Sequence, residues 1–344
     1  MKLRKITKLA KDILLVKVFK RKIPIRVKHH ITYRCNLMCP FCLFNKKLNQ
    51  PDNSEMNTSR VKKMMAEFKK MGTKFWLFCG GEPFLREDLG ELINYAKDEM
   101  DFHCSLTTNG VLLTERIKGD PSFKRLDLVQ ISLDGPEKIQ DRLRGAGTYE
   151  KIIYALDTLR KLCIKTTIMV LITKDNLNYL GCLVKIADRY NANIAFQAAG
   201  TEPAGWPGLK EDFFPDRKIF KKAIEELIKE KKKTRLIVSS FSYLKMLKDC
   251  WPDIPHKIKC YAGQFYCDIT PEGFVAPCCA KLDFTDANYH GLGIGFQNAF
   301  FNLDNMTGCR DCYYAGPQEL NIVWEMIPLR IKTLYRDYLR RKII

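Results

Sequence analysis

The stretch His29-His30-Ile31-Thr32-Tyr33-Arg34-Cys35-Asn36-Leu37-Met38-Cys39-Pro40-Phe41-Cys42 decides how the rest of the chain is read. Its leading part, taken from Val27 to Thr32, has the composition of a strand. That strand runs straight into three cysteines spaced C-x3-C-x2-C. Three thiolates on one short loop can hold three irons of a four-iron cluster, and the fourth iron is then left without a protein ligand. Clusters that mainly transfer electrons use four cysteines. A cluster short of one ligand has an open position, and open positions bind cofactors or substrates, as in catalytic rather than structural zinc sites.

The surrounding composition supports ligation over cross-linking. The chain has 344 residues, 46% of them hydrophobic, enough for one α/β barrel and a small appendage. No stretch approaches the roughly 20 apolar residues of a membrane helix. The N-terminus lacks an apolar core followed by a small-residue cleavage site, so the chain is expected in the cytosol. Fourteen cysteines in such a chain, several in C-x-x-C spacing, read as metal or cluster ligands in a reducing compartment, not as a disulfide framework. The net charge of +19 is uneven: residues 1–34 hold twelve Lys or Arg against one Asp, a net of +11. That asymmetry points to an acidic partner: a membrane, a nucleic acid or an anionic substrate. Leu3, Ile6, Leu9, Ala10, Ile13 and Leu14 recur at helical spacing among lysines, which predicts a basic amphipathic helix. It serves either at a membrane surface or as a cap on the barrel bottom.

Downstream of the first strand the chain alternates. Strands are predicted at Phe75–Cys79, His103–Thr107, Leu126–Leu133, Thr166–Ile172 and Asn193–Gln197. Helices are predicted at 58–71, Asp88–Lys97, Tyr149–Leu162 and Leu177–Tyr190, with a weaker one after the third strand. Six strands alternating with helices imply a parallel sheet with ligand sites at the C-terminal strand ends. The pattern stops near Gly200. Thr201–Gly208 reads as a linker, and Asp216–Lys232 as a charged helix whose basic end, Lys231 to Arg235, reads as a solvated terminus, with a nucleic-acid patch as the alternative.

Each strand end carries a motif. Gly80-Gly81-Glu82-Pro83 follows the second strand, and Thr107-Thr108-Asn109-Gly110 the third. Ser132-Leu133-Asp134-Gly135 follows the fourth, with Asp141-Arg142-Leu143-Arg144-Gly145 shortly after. Glycines at positions 80 and 81 let a backbone approach a ligand closely. Asp134 either accepts from a ligand or caps its own turn. Arg144 either pairs with a carboxylate bidentately or makes a structural ion pair.

Taken together, the cysteine loop and these motifs, in this order over residues 28–200, resemble the radical SAM superfamily. The resemblance implies an α/β fold, a partial (β/α)6 TIM barrel holding SAM against a [4Fe-4S] cluster on Cys35, Cys39 and Cys42. It implies that Gly80, Gly81, Glu82 and Pro83 receive the methionine amino group. Ser132, Asp134, Thr107 and Asn109 would contact the ribose and nearby groups, Arg144 the carboxylate, and Phe41 and Val170 the adenine; for Val170 a plain core role is the alternative. The implied chemistry is reductive cleavage of SAM to methionine and a 5′-deoxyadenosyl radical, which takes a hydrogen from the substrate. The electron would come from a reductant such as ferredoxin or flavodoxin.

A second cysteine group lies in the C-terminal third: Cys260, Cys267, Cys278, Cys279, Cys309 and Cys312. Between them Phe265–Thr270 and Phe274–Ala276 read as a hairpin turning at Thr270-Pro271-Glu272-Gly273. The run C-x12-G-x4-C from Cys260 to Cys278, followed by Cys309-x2-Cys312, resembles the twitch and SPASM auxiliary-cluster domains. The resemblance implies Cys260, Cys278, Cys309 and Cys312 as ligands of an auxiliary [4Fe-4S] cluster, with tetrahedral zinc as the alternative. Cys267 and Cys279 remain open as ligands, substrate contacts or buried residues. Cys79, Cys104, Cys163 and Cys182 are expected in the core, and all five histidines are expected to be structural or on the surface.

The expected organisation is a basic helix at 1–27, a SAM core at 28–200, a linker with helices at 201–255, an auxiliary-cluster unit at 256–316 and a basic amphipathic helix at 317–344. The two basic ends favour a small-molecule or lipid substrate and contact with the membrane inner face. Only 34 residues precede Cys35, too few for an N-terminal peptide-recognition domain, so a ribosomal peptide or protein is the alternative. The alternative of another class is a zinc-binding, basic nucleic-acid-binding protein.

Overall fold

The computed structural model of the chain describes residues 21–42, 54–199, 213–282, 286–310 and 312–325, together with 16, 19, 44, 48 and 49. Apart from Val16 and Phe19, the predicted N-terminal helix at 3–19 lies outside these residues, as does the linker at 201–208. The predicted C-terminal helix is described as helical only as far as 325.

Strand β1 (Arg26–His30) leads into the cysteine loop. Helix α1 (Thr58–Met71) follows, capped where Asn57 accepts from the Arg60 amide at 3.0 Å and ended by Gly72 in the left-handed conformation, φ +106°. It buries Val61, Met64, Met65 and Phe68, one stripe at helical spacing. Strand β2 (Phe75–Cys79) is buried at every position, as a strand with both faces covered must be. Then come α2 (Leu89–Asp98), β3 (His103–Thr108), α3 (Leu113–Gly119) and β4 (Leu128–Ser132). Helix α4 (Glu137–Arg144) carries the Asp141–Gly145 motif and was not read from the sequence. Helix α5 (Thr148–Lys161), β5 (Thr166–Ile172), α6 (Leu180–Arg189) and β6 (Asn193–Ala198) complete six strand–helix steps.

After the barrel, α7 (Arg217–Lys233) starts at Asp216, and α8 (Phe241–Cys250) starts at Ser240, whose hydroxyl accepts from the Tyr243 amide. Strands β7 (Tyr266–Ile269) and β8 (Val275–Ala276) form the predicted hairpin, with Gly273 at φ +99° in its turn. One sheet runs β6-β5-β4-β3-β2-β1-β7-β8, parallel throughout except for the last pair. The hairpin therefore extends the barrel sheet: β7 lies parallel beside β1, with Arg26 opposite Tyr266 and Lys28 opposite Asp268.

Side-chain alternation along the strands divides the sheet. Val27 and Ile31 of the first segment, with Cys267 and Ile269 of β7, join the large apolar core under the helices. Trp76 anchors that core, stacked on Phe102 at 5.4 Å. Arg26, Lys28, His30, Tyr266 and Asp268 line the opposite, luminal side. Because the six barrel strands are parallel, the cysteine loop and the three motif turns emerge at one end. Among the described residues no helix is long and apolar enough to cross a membrane.

Candidate functional site

The cysteine loop is held by main chain. The Gly81 amide donates to Thr32 O at 2.8 Å and the Glu82 amide to Arg34 O at 2.8 Å. A Cβ on Gly81 would stand 2.2 Å from Arg34 O, and one on Gly80 2.4 Å from Thr32 O. The glycine pair was expected to admit a ligand; what comes closest to it is the backbone of the cysteine loop. Both glycines still line the cavity beside that loop. On the far side Asn49 clamps Cys35, accepting from its amide at 2.9 Å and donating to its carbonyl at 3.0 Å. Nothing local in the sequence marked Asn49.

Glu82 is fully buried and accepts from the Thr108 hydroxyl at 2.8 Å, the Asn109 amide at 2.8 Å and the Phe84 amide at 3.2 Å. Its carboxylate thus ties the second strand's turn to the third's. Burial outweighs these hydrogen bonds and pushes its pKa up to about 7. Asn109 reaches back from β3 and donates to Asn36 of the cysteine loop at 2.8 Å, while Thr107 donates to Gln130 at 2.8 Å.

Asp134 is likewise fully buried. It accepts from the Leu171 amide at 2.7 Å and from Arg144 Nε at 2.6 Å. Arg144 in turn lies 5.2 Å over the Phe41 ring and hydrogen-bonds the Cys39 thiol. Asp134 positions Arg144, and Arg144 braces the loop.

A cavity of about 320 Å³ opens between these turns. Of the residues read as SAM contacts, Phe41, Gly80, Gly81, Thr107, Asn109, Ser132, Arg144 and Val170 line it together with Cys35, Cys39 and Cys42. Glu82, Pro83 and Asp134 stand behind that lining. The donor set fits an iron–sulfur cluster. Burial is the leading cause that raises all three thiol pKa values, Cys35 to about 11. Such thiols surrender their protons to a metal rather than to water. Among the described residues no three His, Cys, Asp or Glu side chains close around a single-ion position; the thiols face a shared space instead.

The second cysteine group gathers behind β7. Tyr266 Oη is 3.7 Å from Cys260 Sγ, and Cys278 and Cys312 bear electrostatically on the same ring hydroxyl. Cys309 packs at the edge of the two apolar clusters that contain them. Buried His256 pairs with the Cys312 carbonyl at 3.0 Å, a support that sequence reading missed. Cys267 turns into the core, whereas Cys279 faces the lumen near Lys28 and Asp268. Two cysteines expected in the core are exposed. Cys163 sits past the end of α5 at φ +54°, and Cys182 falls between the buried positions Leu180 and Leu183 on the outer face of α6.

The histidines also divide. His29 is buried against Trp76. His30 is buried at the luminal wall, 2.9 Å from Asp268 and 3.5 Å from Cys79. Its partner lies 238 residues away, so no local signal announced it.

Residues 30–185 match the family model described as the Radical SAM superfamily. The chain is 28% identical over 313 residues to the PqqA peptide cyclase of Bradyrhizobium diazoefficiens, covering 85% of this chain and 79% of that protein. It is 28% identical over 312 residues to the mycofactocin maturase MftC of Mycolicibacterium smegmatis, covering 88% and 77%. Among solved structures, Streptococcus suis SuiB bound to S-adenosylmethionine shares the fold with a TM-score of 0.67 at 17% identity, over 88% of this chain and 71% of SuiB. Native anSMEcpe with bound AdoMet and Kp18Cys peptide gives 0.63 at 19%, over 82% and 81%.

Proposed function

This chain belongs to the radical SAM superfamily, using SAM and a [4Fe-4S] cluster, and we propose that its substrate is a peptide. The observation that carries the proposal is the reach of the similarity. It extends over 85–88% of the chain, past the barrel and into the second cysteine group, and the relatives it reaches are named a peptide cyclase and a maturase. This reverses the expectation of a small molecule or lipid, which rested on the basic ends and on the short segment before Cys35.

In this reading Cys35, Cys39 and Cys42 hold the SAM-binding cluster, and residues 28–200 form its core. Phe41, Gly80, Gly81, Thr107, Asn109, Ser132, Arg144 and Val170 surround SAM, while Glu82, Pro83 and Asp134 act by fixing the turns. Cys260, Cys278, Cys309 and Cys312, within 256–316, hold an auxiliary cluster. Bound there, the two groups supply radical formation and one-electron transfer. The chain's own residues orient the peptide and keep water out of the 320 Å³ cavity. A one-electron donor such as ferredoxin or flavodoxin serves it.

The test is anaerobic reconstitution with iron and sulfide, then incubation with SAM, reductant and synthetic peptides encoded beside this chain's gene. The expected products are 5′-deoxyadenosine and a peptide altered in mass. Formation of 5′-deoxyadenosine that rises with lipid or small-molecule extracts, and with no peptide, would overturn the reading.

A further inference from the structure

Below the cysteine loop the lumen carries charge that the radical chemistry leaves unused. Arg26, Lys28 and His30 face inward from β1, and Asp268 faces inward from β7. Cys79 and Cys279 are the other titratable groups near Lys28 on this wall. Asp268 turns to His30 at 2.9 Å, and the Lys28 ammonium makes a longer ion pair with the same carboxylate at 3.7 Å. Burial, the leading cause, lowers the His30 pKa against the opposing pull of Asp268. Among the described residues no carboxylate pairs with Arg26, which feels Asp268 only at longer range. Two cations therefore share one carboxylate that already has another partner. Charge withdrawn from water without a close counter-charge is costly, and that cost falls on Arg26. The Lys28 side chain nonetheless keeps 30% of its surface open to the cavity.

We propose that Lys28 and Arg26 form an anion subsite in the barrel lumen that holds a carboxylate of the substrate below the site of hydrogen removal. Inward residues two apart on a strand stand about 7 Å from each other, a span in which one carboxylate is bracketed by an ammonium and a guanidinium. The guanidinium can engage both oxygens. The His30–Asp268 pair gives the subsite direction: its fixed negative charge repels a second anion from the β7 side and leaves the cavity side of Lys28 for the incoming group. The inference rests on the peptide reading above and narrows it to a peptide presenting an acidic side chain or its own C-terminal carboxylate.

The test is calorimetric binding to the reconstituted, SAM-loaded enzyme. The probes are N-acetylglutamate N-methylamide, N-acetylalanine, glutarate and the neutral N-acetylglutamine N-methylamide. At least one carboxylate probe is expected to bind tenfold or more tightly than the neutral one, and the winner identifies side chain or C-terminus as the source. Lys28→Met abolishes the preference and Lys28→Arg restores it. SAM affinity and the electron paramagnetic resonance of the reduced clusters, read on the same samples, report that the fold survives. Equal binding of charged and neutral probes overturns the subsite. So does a Lys28→Met enzyme that keeps the preference, or one in which only the cluster spectrum moves; the cations would then be counter-charges for the cysteine thiolates. Preference for glutarate over both peptide-like probes keeps the subsite and sinks the peptide reading, while peptide processing without charge preference does the reverse.

Discussion

The two cysteine groups are built on opposite plans. Cys35, Cys39 and Cys42 lie within eight residues, on a loop pinned by its neighbours' main chain. Cys260, Cys278 and Cys312 come from three separate segments that meet around Tyr266, with Cys309 at the edge of the same apolar clusters, and His256 holds Cys312 by its carbonyl. The first geometry is available once β1 to β5 have formed, since Asp134 after β4 and the Leu171 amide of β5 hold the Arg144 that braces Cys39. The second exists only when hairpin, helices and the 315–325 segment are all in place. Local construction suits the group that, in the proposed function, presents SAM in one pose. Long-range construction makes the other group a reporter of the whole fold.

Four experiments break or sharpen that contrast. The largest effect belongs to Cys42→Ala, which should reduce 5′-deoxyadenosine formation to the enzyme-free level and lower iron content by roughly four per chain. The second group should stay loaded; loss of both would deny that the first is independent. Cys278→Ala should spare SAM cleavage in the absence of substrate but abolish product. It should also lower the melting temperature more than Cys42→Ala does, because metal binding there is linked to closure of distant segments. Equal melting temperatures would contradict the long-range plan.

Gly81→Ala is smaller. Its Cβ, 2.2 Å from Arg34 O, must displace the loop, costing about 1–3 kcal/mol in denaturant unfolding. A silent variant would remove the glycine pair from the loop's support. The smallest effect is that of pH on the cluster-free protein. Glu82 is raised from an ordinary 4.5 to about 7 by burial, so the folded state binds the extra proton. Its contribution is complete below pH 4.5 and disappears as pH rises through 7, a loss of about 1 kcal/mol between pH 6 and 8. Glu319, raised to about 7 by burial while accepting from the Ser240 amide, acts in the same direction beside the second group. Glu82→Gln and Glu319→Gln should each flatten the stability–pH profile. An unchanged slope would show that neither carboxyl is protonated in the fold.

Much of the barrel is legible locally. Apolar runs bounded by turns gave β2 and β5 to the residue, and the helix expected at 58–71 is α1. The order of the motif turns told which cysteines share a cavity. What escaped detection was long-range. Glu82 and Asp134 were read as ligand contacts because acidic residues at strand ends look available. In the fold their oxygens are taken by the Asn109 and Leu171 amides. The placement of β7 beside β1, and with it the His30–Asp268 pair, follows from the hairpin's extension of the sheet at β1 and not from any local pattern. Helix α4 was missed because polar, charged residues dominate it; only Gln140 and Leu143 are buried. The expectation of a small molecule or lipid weighed the two basic ends by charge alone, whereas in the fold Arg26 of one end and Pro317 and Leu320 of the other line the cavity itself.

The pairing of β1 with β7 also has a meaning in time. During synthesis His30 waits for Asp268 while 238 further residues are added, on the order of ten to fifty seconds at ordinary ribosomal speed. Throughout that interval the β1 edge is unpaired and the lumen stands open to water. The scaffold of the first cysteine loop has meanwhile left the ribosome whole. In the proposed function, iron reaches that loop through the unsealed side, before β7 shuts the wall. The second group has no such window, since Cys309, Cys312 and the 315–325 segment leave the ribosome only after β7, the strand that pairs with β1 on that side.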